Sequence, residues 1–281
     1  MRKSIKRKRQ MGKLLTYLCL LVGVIFAGFP ILWLISTSIR ANGEVFSVPP
    51  HIIPKQFTMS AYVKILTTSS KMRFFFNSYF VAIIVTLLTL TISILASYGF
   101  SRYNFRGKRI MNMFIVGTQT VPAITLMIPY FGMMVSWHVY DSYFALIITY
   151  LAKTLPFSIL LMTGYMNTLP KELDESVLVD GGSRLLALTR ILVPISIPGI
   201  VSTGLYVFLQ AWNEYLYALT LIKSTELSTV PIGIARLMGQ HSYEWNEMLA
   251  MSVLGSLPIA LLFLFFQKYF LSGMSAGSVK G

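Results

Sequence analysis

Residues 76–100 read FNSYFVAIIVTLLTLTISILASYGF, a run that contains no charged side chain. A helix needs about 20 mainly apolar residues to cross the hydrocarbon layer of a membrane, which is about 30 Å thick, and this run is long enough. Runs of the same kind recur along the chain and together predict six spans, at about 14–36, 76–100, 110–135, 143–166, 196–221 and 250–270. The chain is therefore expected to be an all-α integral membrane protein.

The composition supports this class. Of the 281 residues, 55% are hydrophobic and 12% are charged, whereas a soluble domain carries about 25% charged residues, so a water-soluble fold is excluded. The net charge of +14 would suit a nucleic-acid-binding protein or a membrane protein with basic loops. The basic residues cluster at the ends of the apolar runs, with no soluble domain to present them, which excludes nucleic acid as a partner. The single cysteine, Cys19, lies inside the first run and offers neither an intramolecular disulfide nor a cysteine metal site.

The distribution of basic residues predicts the topology, because Lys and Arg are retained on the cytoplasmic side. With the N-terminus inside, sixteen of them fall in inner segments and seven in outer segments, and Lys153 lies within a span. Residues 1–13 are then a basic cytoplasmic N-terminus, 14–270 the transmembrane domain and 271–281 a cytoplasmic tail. The run 14–36 is longer than the core of a signal peptide and is expected to be an uncleaved signal anchor.

The predicted loops differ in length. On the outer side, residues 37–75 form a long loop and residues 136–142 a tight turn. A third outer segment, 222–249, carries the apolar stretch Val230 to Leu237, which is too short to span. It is expected to dip partway into the membrane or to cap the outer face. On the inner side, only the loop 167–195 has room for structure of its own.

That inner loop contains TLPKELDESVLVDGGSRLLALTRILVPI at residues 168–195. A proline in the first turn and three early acidic residues predict a helix from about Pro170 to Val179. The glycine pair 181–182 ends it, and Ser183 is expected to cap a second helix over Arg184 to Leu192. Leu185, Leu188 and Leu192 or Ile191 are expected to line one face of the second helix. Helices this short are marginal alone in water, so the loop either docks on a partner or packs on its own helix ends.

The spacing of this loop resembles the EAA loop, E-A-A-x3-G-x9-I-x-L-P, of ABC importer membrane subunits, and the matching residues are Glu175, Gly181, Ile191 and Pro194. Ser176 and Val177 replace the two alanines, and Val193 replaces the leucine, so small or apolar character is kept. Further stretches resemble the maltose-type, carbohydrate-uptake branch along nearly the whole chain: Phe29-Pro30 with Trp33, Phe76-Asn77-Ser78, Ser101-Arg102 with Phe105-Arg106-Gly107, Leu126 to Tyr130, Ala211-Trp212-Asn213-Glu214 and Ser275 to Gly281.

The resemblance implies a type I ABC importer permease of six helices in a bacterial or archaeal cell membrane. Its implied partners are a second permease subunit in a heterodimeric pairing, two ATP-binding subunits and an extracytoplasmic solute-binding protein. The first EAA helix would be the coupling helix, held by an ATPase, with residues 37–75 and 222–249 as the landing surface for the binding protein. The implied ATPase-coupling residues are Glu172, Leu173, Glu175, Ser176, Val177, Asp180, Gly181, Ile191 and Pro194.

The chain is not expected to be an enzyme. It contains no G-x4-G-K-[ST] phosphate loop, so ATP and Mg would be bound by the partner ATPases, and this chain would bind no cofactor. Neither a nucleophile with its base nor a set of metal ligands occurs at a helix-compatible spacing. The histidines are scattered over predicted outer segments, at His51, His138 and His241, without metal-ligand spacing.

Polar residues inside the predicted spans are candidates for a translocation path because their burial is costly. The candidates are Lys153, Gln210, Asn213 and Glu214. They would hydrogen-bond a polyhydroxylated solute. The alternative is a structural clamp between helices, since Lys153 and Glu214 lie at similar depths and are able to pair. Prolines inside the spans are expected mainly to bend helices, at Pro122, Pro129, Pro156 and Pro198.

The leading hypothesis is therefore a permease subunit that imports a mono- or oligosaccharide by alternating access. The same machinery importing glycerol-3-phosphate or a related polar solute is the alternative. A phosphate site should offer Arg or several donors, and Lys153 is the only cation in the interior of a predicted span, since Lys268 lies at the inner end of the last one, which favours a neutral sugar. A secondary transporter is a distant alternative, because it should show internal repeats and several buried acidic residues, and only Glu214 fits.

Overall fold

A computed structural model describes the backbone of residues 2–238 and 245–278, with side chains from Gln10 to Lys268 except Asn42 and residues 239–244. His241 and the last three residues of the predicted tail lie outside the described residues. The described part is built from helices, and an isolated antiparallel bridge joins Arg40 to Phe57. The all-α class predicted from the apolar runs is confirmed.

In chain order the helices are α1 (Arg2–Ser38), α2 (Ser60–Thr67), α3 (Ser69–Arg102), α4 (Lys108–Thr118), α5 (Met127–Ser136), α6 (Tyr143–Met166), α7 (Glu172–Val179), α8 (Arg184–Ala187), α9 (Val193–Ile195), α10 (Ile197–Trp212), α11 (Leu216–Leu221), α12 (Val230–Arg236) and α13 (Trp245–Ser278). A 3-10 turn, Ala123–Leu126, precedes α5, and a π-helical turn, Leu188–Leu192, joins α8 to α9.

Four helical segments of the described chain are each long and apolar enough to cross a membrane: Gln10–Ser38, Ser69–Arg102, Tyr143–Met166 and Trp245–Lys268. The first three contain or match a predicted span, and the fourth overlaps the predicted span 250–270 up to Lys268. Two further helix pairs, Lys108–Thr118 with Ala123–Ser136 and Arg184–Ile195 with Ile197–Trp212, are apolar enough but bent, so the helices account for four to six crossings.

The predicted span at 110–135 is broken rather than continuous. Lys108–Thr118 and Ala123–Ser136 meet at an angle of 96°, and Pro122 between them has an extended backbone with φ −60° and ψ 134°. Proline has no N–H to continue the helical ladder and disfavours helix in the residue before it. The bend expected at Pro122 is therefore confirmed, whereas the continuous helix is not.

The predicted span at 196–221 differs in another way, with a bend at its start and a break inside it. Arg184–Ile195 and Ile197–Trp212 meet at 78°, and Pro198 falls in the first turn of α10, where its missing N–H leaves no bond unmade. The helix then stops at Trp212 and restarts as α11 at Leu216. Residues 213–215 are thus a break that the apolar pattern did not predict.

The chain divides into two compact units. The first, Met1–Thr67 with Arg236–Leu254, holds the long first loop around Arg40, whose side chain is 1% exposed. The Arg40 guanidinium donates hydrogen bonds to Ser36 Oγ and to the carbonyls of His51 and Ile52. The Asn246 amide donates to the Arg40 carbonyl. The loop is therefore organised around one buried cation.

The second unit, Thr68–Ala235 with Gly255–Gly281, is centred on α3 and α6, which run parallel. Asn77 accepts a hydrogen bond from Tyr143 at one end (2.7 Å), and the hydroxyls of Thr89 and Thr154 meet midway (3.1 Å). The facing positions of α3 are small, with Ser93 and Ser97 fully buried. Small residues let two helix backbones approach closely in a membrane.

Helix α10 runs antiparallel to α3 and α6 in this unit. At its start, a Cβ on Gly199 would meet the Tyr165 ring at the end of α6. At its end, the Trp212 ring lies 4.7 Å from the Tyr79 ring near the start of α3. The indole of Trp212 also donates to the Gly255 carbonyl of α13 (3.0 Å). The unit therefore contains helices of both directions packed on the α3–α6 pair.

Candidate functional site

The segment between α6 and α10, residues 167–195, forms the predicted helix, glycine elbow and helix. The first helix, α7, begins two residues later than predicted and ends at Val179. Gly181 has φ +80°, the left-handed conformation that favours glycine. The Gly182 N–H bonds to the Val177 carbonyl (2.8 Å), and a Cβ there would lie 2.6 Å from Val177 Cγ1. Both glycines are therefore required by the elbow.

The second arm starts where the cap was expected. Ser183 Oγ accepts a hydrogen bond from the Leu186 N–H (3.2 Å). The arm is not one regular helix, however, because α8 widens into the π-helical turn Leu188–Leu192 before α9. Pro194 explains this irregularity, since its ring cannot donate to a carbonyl four residues earlier and crowds that carbonyl.

The two arms bury one face against the bundle. Leu188 and Leu192 are buried with Met162 and Met166 of α6, and Leu173 packs against this cluster. The predicted common face holds for Leu188 and Leu192, which are both buried. Leu185 does not share that face, since its side chain is 64% exposed.

The opposite face is exposed and apolar around the elbow. Its large side chains are Leu178, Val179, Leu185 and Leu186, with Val179 at 86% exposure. We call these four residues the elbow patch. Exposed apolar clusters of this kind mark sites of protein–protein contact. Most of the predicted coupling residues are exposed as well, namely Glu172, Glu175, Ser176, Asp180, Gly181 and Pro194, whereas Leu173, Val177 and Ile191 are half-buried.

An ion pair that the sequence reasoning missed fastens this segment. Arg102 Nε at the end of α3 lies 2.6 Å from Asp174 Oδ2 of α7, and both side chains are at most 10% exposed. Asp174 was expected only to complement the helix dipole. No spacing rule signals the pair, because the two residues are 72 positions apart and belong to different helices.

The structure brings two of the four predicted path residues together. Lys153 Nζ lies 3.7 Å from Glu214 Oε1, and the Glu214 side chain is 2% exposed. Glu214 also accepts hydrogen bonds from the N–H groups of Tyr217 and Ala218 (both 3.1 Å), which lie in the first turn of α11. The carboxylate therefore pairs with Lys153 and caps the helix that restarts after the break.

The other two path residues differ from this pair. Asn213 is exposed, and its amide donates to the Leu209 carbonyl of its own helix (3.0 Å). Gln210 is half-buried one turn earlier. Among the described residues, neither forms a hydrogen bond or an ion pair with Lys153 or Glu214.

The far end of the α3–α6 pair is closed by residues 222–230. The Asn77 amide is fully buried and donates to the carbonyls of Glu226 (2.8 Å) and Ser228 (2.7 Å). Ser78 Oγ accepts from the Val230 N–H (2.8 Å). Of the two expectations for this stretch, these contacts fit a cap on the end of the helices.

A second anchor of the same stretch is Asp141. Burial acts to raise the pKa of its carboxyl, but hydrogen bonds from the N–H groups of Ser224 and Lys223 and from the Ser224 hydroxyl outweigh this effect. The pKa of Asp141 is therefore lowered, and the carboxylate form holds the segment. Within the described chain, no group of three or more His, Cys, Asp or Glu side chains is placed to hold a metal ion.

Comparisons with known proteins agree with this geometry. The family model described as binding-protein-dependent transport system inner membrane component matches residues 89–276. The trehalose/maltose transport system permease protein MalG of Thermococcus litoralis is 34% identical over 278 residues, which cover 98% of this chain and 99% of the relative. The sulfoquinovosyl glycerol transport system permease protein SmoH of Agrobacterium fabrum is 32% identical over 270 residues, covering 96% and 95%.

The fold also has a solved counterpart. A bacterial ABC transporter involved in the import of the acidic polysaccharide alginate matches with a TM-score of 0.82 at 22% identity, over 94% of this chain and 98% of that chain. The resemblance drawn from the EAA-like spacing is confirmed, and the chain is a multi-pass membrane transport subunit rather than an enzyme. It belongs to the family of binding-protein-dependent transport system inner membrane components.

Proposed function

We propose that this chain is the permease subunit of an ABC importer that moves a mono- or oligosaccharide across the cell membrane by alternating access. The observation that carries the proposal is the segment 167–195, which is anchored to the bundle on one face and presents the elbow patch on the other. A segment built this way transmits contact with another subunit into the membrane helices. The relatives named for trehalose/maltose and sulfoquinovosyl glycerol transport support a sugar as the solute.

The proposed assembly contains a second permease subunit in a heterodimer, two ATP-binding subunits that hold ATP and Mg, and an extracytoplasmic solute-binding protein. The family description names the binding protein as part of the system. The elbow patch is the surface we assign to an ATPase, with the predicted coupling residues around it. Residues 37–75 and 222–249 are assigned to the binding protein.

We propose six spans with both termini in the cytoplasm. The parallel course of α3 and α6 supports this count, because the bent pair between them must then cross the membrane once in the opposite direction. The antiparallel course of α10 supports a further crossing after residues 167–195, which we call the coupling segment. The sixteen basic residues on the proposed inner side support the orientation.

Reconstitution tests the proposal directly. The chain, co-expressed with its partner membrane subunit, both ATPases and the binding protein, is placed in liposomes and supplied with radiolabelled trehalose, maltose or glycerol-3-phosphate. We expect ATP-dependent uptake of a sugar and stimulation of ATP hydrolysis by the loaded binding protein. Stimulation by glycerol-3-phosphate alone would establish the alternative solute, and uptake by the chain without ATPases would establish a secondary transporter.

The path residues carry a second prediction. Glu214→Gln removes the negative charge beside Lys153 but keeps one acceptor for the N–H groups of α11. Hydrogen bonds to a charged group are worth about 1.5–3 kcal/mol, so uptake per assembled complex should fall about tenfold while ATPase assembly is kept. The measurements are initial uptake rate and co-purified ATPase.

A double variant separates the path from the clamp. Lys153→Gln with Glu214→Gln leaves no unpaired charge, so a clamp that acts only structurally should regain uptake relative to Glu214→Gln alone. If the residues contact the solute, uptake by the double variant stays low. Normal uptake by the single variant would remove Glu214 from both roles.

A further inference from the structure

The last residue of α3 holds the first arm of the coupling segment. Arg102 is paired with Asp174 at 2.6 Å, and its side chain is 6% exposed. The other oxygen of that carboxylate, Oδ1, is buried and has no hydrogen-bond partner among the described residues. Arg102 is therefore the group that compensates the buried charge of Asp174, and a buried charge without compensation is strongly unfavourable.

The same guanidinium also binds the end of α6. Nη1 donates to the Met166 carbonyl (3.1 Å) and Nη2 to the Leu169 carbonyl (3.3 Å). Carbonyls at a helix C-terminus lack intrahelical partners and attract cations. Arg102 thus joins α3, the end of α6 and α7 through one planar group, which the point charge of a lysine cannot reproduce.

The next residue holds the second arm. The Arg184 guanidinium at the start of α8 lies 4.8 Å from the centroid of the Tyr103 ring. The Tyr103 ring is itself supported by an edge contact with Tyr98 of α3, with centroids 5.9 Å apart. A cation over an aromatic face within about 6 Å is a favourable contact, weaker at an exposed site than a buried ion pair.

We infer that Arg102 and Tyr103 are positioning residues that fix both arms of the coupling segment to α3, so that a displacement at the elbow patch moves α3 with it. The backbone connects the coupling segment to α6 through the turn at residues 167–171 and to α10 through the turn around Ser196. These turns and the glycine elbow would absorb part of any displacement. The side chains of Arg102 and Tyr103 bypass them and reach the helix at the centre of the unit. The inference rests on the proposed coupling to ATPases.

The experiment uses the complete transporter in liposomes and measures solute transported per ATP hydrolysed. Arg102→Met leaves Asp174 unpaired and is expected to reduce folding, so the informative variant is Arg102→Met with Asp174→Leu, which removes both charges and preserves apolar packing. We expect transport per ATP to fall about tenfold in the double variant, with unchanged co-purification of the ATPases. Arg109→Met, at an exposed arginine of α4, is the matched control and should stay near the wild-type ratio.

Tyr103 provides a graded second test. Tyr103→Phe keeps the ring beneath Arg184 and should retain the wild-type ratio, whereas Tyr103→Leu removes the aromatic face and should lower the ratio about two- to fivefold. A residue that served only folding would lower assembly, hydrolysis and uptake together and leave the ratio unchanged. An effect of Tyr103→Phe equal to that of Tyr103→Leu would overturn the role of the ring.

Spin labels report the attachment itself. Leu95 of α3 and Lys171 before α7 are exposed, so Leu95→Cys with Lys171→Cys in a Cys19→Ser background gives one labelled pair. We expect the same label separation in ATP-free and vanadate-trapped complexes, and a separation that changes between these states in the Arg102→Met, Asp174→Leu variant. A wild-type ratio and an unchanged separation in that variant overturn the inference and leave the proposed function standing. Failure of the unmodified transporter to use ATP overturns both.

Discussion

Replacing Val179 by lysine is expected to abolish transport without unfolding the subunit. Val179 is 86% exposed at the end of α7, so its side chain contributes little to the stability of the chain alone. A lysine there would lie four residues after Glu175 and near the negative end of the helix dipole, and both relations stabilise a helix slightly. The substitution therefore changes the elbow patch while favouring α7.

The loss arises in the complex. If an ATPase covers the elbow patch, the lysine ammonium is carried into an apolar contact without a partner, which costs several kcal/mol. A cost of about 3 kcal/mol corresponds to more than a hundredfold weaker association. We expect at least a comparable loss of ATPase co-purification and of ATP-dependent uptake, measured on the detergent-solubilised and reconstituted complex.

The matched control for this substitution is Val179→Leu, which keeps an apolar side chain at the same position. It should assemble and transport like the unmodified protein. Normal assembly of the Val179→Lys complex would show that the elbow patch is not the ATPase contact. A loss of thermal stability in the isolated Val179→Lys subunit would instead place Val179 in the fold.

The elbow itself was predictable from the sequence because its determinants are local. Two adjacent glycines mark the end of a helix. A serine directly after them marks the start of the next helix, because its hydroxyl accepts a hydrogen bond from the backbone N–H three residues later. The structure has Gly181 at φ +80° and Ser183 as the cap of α8. Its exposed and buried faces were less predictable, since Leu185 satisfies the helical period but points away from the bundle.

The contacts that fasten the segment were not predictable from the pattern. Arg102 and Asp174 are separated by 72 positions, and the Arg102 contact with Met166 by 64. Apolar periodicity identifies which stretches form helices, but it does not show which residues of one helix lie opposite which residues of another. Which of several basic residues meets Asp174 depends on the parallel packing of α3 on α6, which only the structure provides.

The breaks within the predicted spans are a second feature that the sequence pattern leaves partly undetermined. Proline chemistry predicts a bend near Pro122, but the angle of 96° depends on how α5 packs, not on proline alone. The break at residues 213–215 has no proline at all. Glu214 was singled out because a carboxylate within a span is costly, and its contacts with Tyr217 and Ala218 show how the break offsets that cost.

Asn77→Leu is expected to be the most destabilising single substitution at the end of the bundle remote from the elbow. Asn77 is fully buried and makes three hydrogen bonds, donating to the carbonyls of Glu226 and Ser228 and accepting from the Tyr143 hydroxyl. Leucine fills a similar volume but leaves all three partners unsatisfied. Each unsatisfied buried group costs about 1–3 kcal/mol, and the bonds to Glu226 and Tyr143 are only partly buried, so the expected loss is about 2–3 kcal/mol. The measurement is the thermal unfolding midpoint of the purified subunit in detergent.

Two further variants, at Asn77 and at Ser78, are expected to destabilise the subunit to different extents. Asn77→Asp keeps the acceptor for Tyr143 but turns a carboxylate oxygen toward two carbonyls, so it should destabilise at least as much as leucine. Ser78→Ala removes only the acceptor of the Val230 N–H and should cost about 1–2 kcal/mol. Because the elbow lies at the other end of α3, ATPase co-purification should survive in the folded fraction of each variant. Equal stability of Asn77→Leu and the unmodified subunit would mean that residues 222–230 are held by packing alone, and the amide network would lose its role in closing that end.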